Sequence, residues 1–150
     1  MHKAYLLLGS NMGNREFMLD KALEELEQAG CIAALSSRKE TEPWGFNKPV
    51  TWFLNQVACM ETELDPEELM EQCLEIERKL GRKRESDKAL SAGRGSYCSR
   101  LIDIDILLYD NLKHNTPKLI LPHPRLRERP FAMELLQEIL PKNLSLEDFY

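Results

Sequence analysis

The spacing of hydrophobic and polar positions changes several times along this chain, and each change marks an element. Ala4–Leu8 is an unbroken apolar run closed by Gly9, and the Ser-Asn-Met-Gly-Asn that follows is turn chemistry, so a buried strand leads into a loop. From Arg15 to Ala29, residues Leu19, Ala22, Leu23, Leu26 and Ala29 recur three or four apart, which predicts a helix with one apolar stripe, stopped at Gly30. Ile32–Lys39 reads as a second strand, and Thr41–Pro49, with two prolines and a glycine, as an exposed loop of a length that often binds ligands. Phe53–Glu61 alternates Phe53, Asn55, Val57 and Cys59 against Leu54, Gln56, Ala58 and Met60, a strand pattern. Asp65-Pro66-Glu67-Glu68 supplies a cap, a first-turn proline and acids that suit the helix dipole, and that helix runs to Leu80 and ends at Gly81. Arg82–Arg100 shows no period. Leu101–Tyr109 is the clearest strand, Asp110-Asn111 turns into a shorter hairpin ending near Leu121, and Pro130 opens a last helix, Phe131–Leu140.

Strand, helix, strand, strand, helix, strand, hairpin, helix is the order of an α+β chain: a ferredoxin-like βαββαβ sandwich with an added hairpin and C-terminal helix. At 150 residues and 43% apolar content, residues 1–150 are expected to form one domain. A net charge of −5 and a pI near 5.3 oppose a broad grip on nucleic acid or an anionic membrane, so any anion must be held locally. The apolar run at the N-terminus is too short for a signal peptide or a membrane span, which predicts a cytoplasmic protein, and nothing in the pattern calls for an obligate protein partner. Cys31, Cys59, Cys73 and Cys98 lie at unrelated spacings and read as reduced thiols, mostly small core residues; with only three histidines, a zinc site is not expected.

The chemistry concentrates in Arg-Leu-Ile-Asp-Ile-Asp-Ile-Leu-Leu. A two-residue period points Asp103 and Asp105 to the same face with α-carbons about 6.6 Å apart, so both carboxylates can lean onto one or two hard cations. The alternative is neutralisation by Arg100 or nearby lysines. Arg82–Arg100 carries six basic residues and two acidic ones, a net charge of +4; it is either a solvated segment or, being adjacent to the aspartates, the local anion site that triphosphate chemistry needs. Gly9-Ser10-Asn11-Met12-Gly13-Asn14 lacks the lysine and hydroxyl of a P-loop. Phe53 and Asn55 share a strand face that suits a stacked, hydrogen-bonded heterocycle, or equally a core Phe beside a turn-side Asn, and His123 by itself reads as a lone loop histidine.

Together, Leu-Gly-Ser-Asn-Met-Gly-Asn, Thr41-Glu42-Pro43-Trp44-Gly45, Phe53-Leu54-Asn55, Ile76-Glu77 with Gly81-Arg82, Arg100 to Leu108, Pro122-His123-Pro124-Arg125 and Glu128-Arg129 with Phe131 resemble the 6-hydroxymethyl-7,8-dihydropterin pyrophosphokinase family of folate biosynthesis. The resemblance runs from Leu6 to about Pro141. It implies transfer of pyrophosphate from ATP to the pterin's hydroxymethyl group, giving AMP, with two magnesium ions as cofactors. By the same resemblance Asp103 and Asp105 hold the ions, Arg82, Arg84 and Arg100 belong to mobile catalytic-loop segments, and Glu77, His123 and Arg129 contact ATP. Phe53 and Phe131 sandwich the pterin, and Asn55 with Thr41, Pro43 and Trp44 read its polar edge. Where many members have Trp-Gly-Pro-Arg this chain has Tyr97-Cys98-Ser99-Arg100, in a loop that looks longer than theirs.

Two other functions compete. A metal-dependent nucleotidyltransferase also joins a Gly-Ser turn to paired acids, but it keeps them close in sequence, whereas Gly9-Ser10 is far from Asp103. A ferredoxin-like binding module is the non-enzymatic reading; the acidic pI opposes RNA as its ligand.

Overall fold

The computed structural model describes residues 1–42, 52–81 and 102–150. Among these residues the fold is an antiparallel sheet with three helices. Its strands are β1 (His2–Ser10), β2 (Cys31–Leu35), β3 (Lys39–Thr41), β4 (Phe53–Thr62) and β5 (Asp103–Tyr109); the helices are α1 (Arg15–Leu26), α2 (Pro66–Gly81) and α3 (Pro130–Ile139). β6 (His114–Asn115) and β7 (Ile120–Leu121) form the expected hairpin, with 3-10 turns at Leu126–Glu128 and Leu146–Phe149. The sheet runs β2, β4, β1, β5, with β3 also on β4 and every pair antiparallel.

α1 and α2 each start where a side chain satisfies free N–H groups of the first turn, whereas α3 has no side-chain cap and opens on Pro130. Asn14 caps α1 by accepting from the Phe17 N–H at 3.0 Å. Asp65 and Glu68 form a reciprocal capping box before α2, at 2.8 and 2.9 Å. α1 ends at Leu26, three residues earlier than its apolar spacing predicts. Gly30 does more than stop that helix: a Cβ there would lie 2.3 Å from the Glu61 carbonyl oxygen, so β4 passes too close for any side chain.

The strand expected over Ile32–Lys39 is broken into β2 and β3. Ser36 keeps the pairing through the break: its N–H donates to the Val57 carbonyl at 2.9 Å, and its hydroxyl accepts from the Val57 N–H at 2.8 Å. Arg38 then reaches Glu16 and Asp20 of α1, and Glu138 of α3 accepts from Ser37 N–H and Oγ–H, both at 2.7 Å.

Both faces of the sheet are covered, which is why its strands are apolar on both sides. α1 and α2 bury Leu19, Leu26, Leu69 and Ile76 against Leu6, Leu8, Met60, Ile104 and Ile106. On the opposite face, Tyr5, Leu7, Val57, Cys59 and Leu107 meet Leu135 and Leu136 of α3 and Phe149 of the tail. That second layer covers only one end. Towards Phe53, Gly9 and Asp103 the same strand faces turn polar or lose their side chains, and the sheet opens into a cleft at the start of α3. Among the described residues Cys31, Cys59 and Cys73 are free thiols, the last two buried, and no helix is long and apolar enough to cross a membrane.

Candidate active site

The cleft, about 560 Å³, is lined by Thr41, Phe53, Asn55, Asp103, Asp105, Arg129 and Phe131, seven of the residues expected from the sequence. Register explains their meeting. Gly9 of β1 pairs with Asn55 on one side and Asp103 on the other, and Thr41 pairs with Phe53, so an amide and an aromatic face an acidic pair across a glycine. A Cβ on Gly9 would sit 3.0 Å from Asn55 Oδ1 and 3.7 Å from Phe53 Cδ1, so the missing side chain keeps the floor open. Pro43, Trp44, Arg82, Arg84 and Arg100, with Tyr97 and the basic loop, lie outside the described residues.

Asn55 is buried and its orientation is fixed, because both amide hydrogens are used: Nδ2 donates to the Lys39 carbonyl at 3.1 Å and to Thr41 Oγ1 at 2.9 Å. Only an acceptor, Oδ1, is left for a ligand, while the Thr41 hydroxyl keeps its own hydrogen to donate. Phe53 and Phe131, both half-buried, come from β4 and from the first turn of α3. The proline at the head of α3 costs no hydrogen bond there and fixes where Phe131 begins.

At the acidic side Arg129 donates to Asp105 Oδ2 at 3.2 Å, and His123 Nε2 stands 3.9 Å from Asp105 Oδ1. His123 is therefore not the surface residue its isolation in sequence allowed. Burial, then Arg129 and Arg125, hold its pKa below the ordinary histidine value against the pull of Asp105. Its Nδ1 accepts from the Arg125 N–H at 3.1 Å, so a neutral ring carries its hydrogen on Nε2, the side of the aspartates.

Glu77 reaches the sheet edge from α2 and accepts from the Ile104 N–H at 2.7 Å. Burial, then the nearby Asp103 and Asp105 charges, push its carboxyl up to about 7 despite that hydrogen bond. The Glu77, Asp103 and Asp105 carboxyl groups crowd together here, with Arg129 paired to Asp105. The paired carboxylates of Asp103 and Asp105 are oxygen donors of the kind that suits a hard cation, and among the described residues no three of His, Cys, Asp and Glu close into a cage.

The sequence reading gave no role to Gly9, Glu42, Arg125, Glu128 or Pro130, which also line the cleft. Arg125 stood in a quoted motif, and its position one residue beyond a proline after His123 was the available signal. Gly9 also stood in such a motif, but what it must leave room for comes from another strand, so its role could not be read locally.

Over residues 5–141 the chain matches the family described as 7,8-dihydro-6-hydroxymethylpterin-pyrophosphokinase (HPPK). It is similar to the 2-amino-4-hydroxy-6-hydroxymethyldihydropteridine pyrophosphokinase of Porphyromonas gingivalis, 42% identical across 91% of this chain and 90% of that one. The enzyme of the same name from Methylorubrum extorquens is 41% identical, across 94% of this chain and 84% of that one. Among solved structures it is similar to Plasmodium falciparum HPPK-DHPS, with a TM-score of 0.69 at 17% identity. That likeness, which speaks for the fold alone, covers 97% of this chain and 41% of the longer one. A match of this length, with two relatives above 40% identity, settles the point: the chain belongs to the 7,8-dihydro-6-hydroxymethylpterin-pyrophosphokinase family, whose members transfer pyrophosphate from ATP to hydroxymethyldihydropterin in folate synthesis.

Proposed function

We propose that this cleft carries out that transfer with the pterin on the Phe53 and Asn55 side of Gly9 and the triphosphate on the Asp103 and Asp105 side. The observation that carries the reading is the register: Gly9 lies between Asn55 and Asp103, so a ligand on each side brings its reacting end to the same strip of floor. The reaction needs that closeness. The hydroxymethyl oxygen gives up its proton to solvent and bonds to the β-phosphorus of ATP, the bond from that phosphorus to the oxygen bridging to the α-phosphate breaks, and AMP leaves with that oxygen.

Phe53 and Phe131 would stack on the pterin, whose exocyclic amine suits Asn55 Oδ1 and whose ring acceptors suit the Thr41 hydroxyl. Asp103 and Asp105 would hold magnesium, two ions by the resemblance, which when bound offset charge on the phosphate oxygens. Arg129 orients Asp105, while the His123 Nε2–H and the Arg125 guanidinium offer donors to the triphosphate on the same side. Arg82, Arg84 and Arg100 as catalytic cations, and Pro43 and Trp44 at the pterin edge, complete the proposal on the resemblance alone. We also read the β2, β4, β1, β5 order, with α1 and α2 on one face, as the ferredoxin-like arrangement, and residues 1–150 as one pyrophosphokinase domain.

The test is product analysis with ATP, magnesium and hydroxymethyl-dihydropterin. AMP and pterin diphosphate are expected in equal amounts, and both should vanish in Asp103→Asn. Release of free pyrophosphate with an adenylylated product would identify a nucleotidyltransferase instead.

A further inference from the structure

β5 is an edge strand among the described residues, with only β1 beside it, and it carries both aspartates of the cleft. An edge leaves alternate N–H groups without a strand partner, and a short edge strand held on one side only can shift or fray. The N–H of Ile104 has a different partner: the carboxylate of Glu77, on the last turn but one of α2, accepts it at 2.7 Å. Ile104 is the residue between Asp103 and Asp105. Its side chain is buried in the helix-side core, so this strand segment is fixed by packing on that face and by Glu77 along its edge, while the two flanking carboxylates face the cleft.

We infer that Glu77 is a positioning residue that sets the spacing and direction of Asp103 and Asp105 through the Ile104 backbone, in place of the direct ATP contact implied by resemblance. The inference rests on the reading of the two aspartates as the cation-holding pair. A helix fixes Glu77 in turn, since its neighbours Cys73 and Ile76 are buried in the same core. Loss of the acceptor would leave the Ile104 N–H unsatisfied at a half-covered edge, and the strand would have to move or admit water to satisfy it.

A glutamine separates this role from a charge contact, because its amide oxygen can accept the Ile104 N–H while its NH₂ faces Asp103, yet it carries no charge. Three variants are compared: Glu77→Gln, Glu77→Met, which keeps the volume without an acceptor, and Asp105→Asn. Two readouts are used, exchange of the Ile104 amide hydrogen in cation-free protein and the affinity for Mn²⁺ with an unreactive ATP analogue. The expected result is an Ile104 amide about tenfold or more less protected in Glu77→Met than in wild type, with cation affinity weakened about tenfold, and both largely restored in Glu77→Gln. The inference is overturned if Glu77→Gln loses as much cation affinity as Glu77→Met, which marks a charge contact, or if Ile104 exchange is the same in all three proteins with Glu, Gln or Met. Unchanged cation affinity in Asp105→Asn would instead remove the cation reading and the inference with it, and the exchange data taken without cation keep that failure distinct from a missing Glu77 to Ile104 bond.

Discussion

The most direct probe of the cleft floor is Gly9→Ala. The new methyl carbon would lie 3.0 Å from Asn55 Oδ1, inside ordinary contact distance, and 3.7 Å from Phe53 Cδ1, which is ordinary contact. Asn55 must therefore give by a few tenths of an ångström, and it is poorly placed to do so. Its Nδ2 is tied to the Lys39 carbonyl and to Thr41 Oγ1, at 3.1 and 2.9 Å, and the residue is buried. Moving the amide weakens one or both bonds, each contributing about 0.5–1.5 kcal/mol, and displaces the one acceptor left for the pterin. The expected cost is about 1–3 kcal/mol in pterin binding, or about 5- to 150-fold in Kd. Folding should survive, because the methyl enters an open cleft and the core is untouched. Titration of wild-type and Gly9→Ala protein with pterin, and separately with magnesium and an unreactive ATP analogue, checks this together with thermal unfolding. A pterin Kd within twofold of wild type, or an equal loss for the nucleotide, would refute the account of the floor.

Other outcomes follow from the same geometry. Asp105→Asn should lower kcat by about a hundredfold or more at saturating magnesium with little change in Tm, because its part-exposed pair with Arg129 contributes only about 1 kcal/mol or less; near-normal turnover would defeat the cation assignment. Phe131→Ala should weaken pterin binding by about 1–3 kcal/mol and nucleotide binding much less, and equal losses in the two titrations would make it a packing residue. Arg125→Ala should raise the KM for MgATP several-fold while the pterin Kd holds, and a shift confined to pterin would exclude the triphosphate role. A pH series tests Glu77: its folded pKa is raised from 4.5 to about 7, so the fold binds its proton more tightly than the unfolded chain does. That contribution is complete below 4.5 and is lost as pH rises towards about 7, so cation-free wild type should lose stability across this window while Glu77→Gln changes less, as denaturant unfolding at pH 5 and 8 would show. Parallel pH slopes for the two proteins would contradict it.

Much of the fold was legible because helix and strand periods are local. The alternation in Phe53–Glu61 placed Phe53 and Asn55 on one face, and the alternation after Arg100 placed Asp103 with Asp105; both hold in the sheet. The Asp65 cap was legible for the same reason, since it acts within three residues of itself, whereas Asn14 read only as turn chemistry and is seen as a cap in the structure. The break at Ser36 was not, because a serine is neutral to strand formation and here the interruption is stabilised by Val57 and by Glu138, 21 and 101 residues away. The fate of His123 was hidden likewise, as its placement depends on β5, where the Leu107 carbonyl accepts its N–H and Asp105 faces its ring.

By itself, then, the sequence determined which residues could share a face and which chemistry each face carried, since side-chain direction follows from a two-residue period within one strand. Only the tertiary structure decided that β1 lies between β4 and β5, and so that Gly9 brings Asn55 and Asp103 to one floor. It also decided that Glu77 meets the Ile104 N–H rather than solvent and that Arg125 turns into the cleft. Strand order and register are fixed by burying two faces at once, against α1 and α2 on one side and α3 on the other, and that is a sum over contacts far apart in the chain that no local period contains.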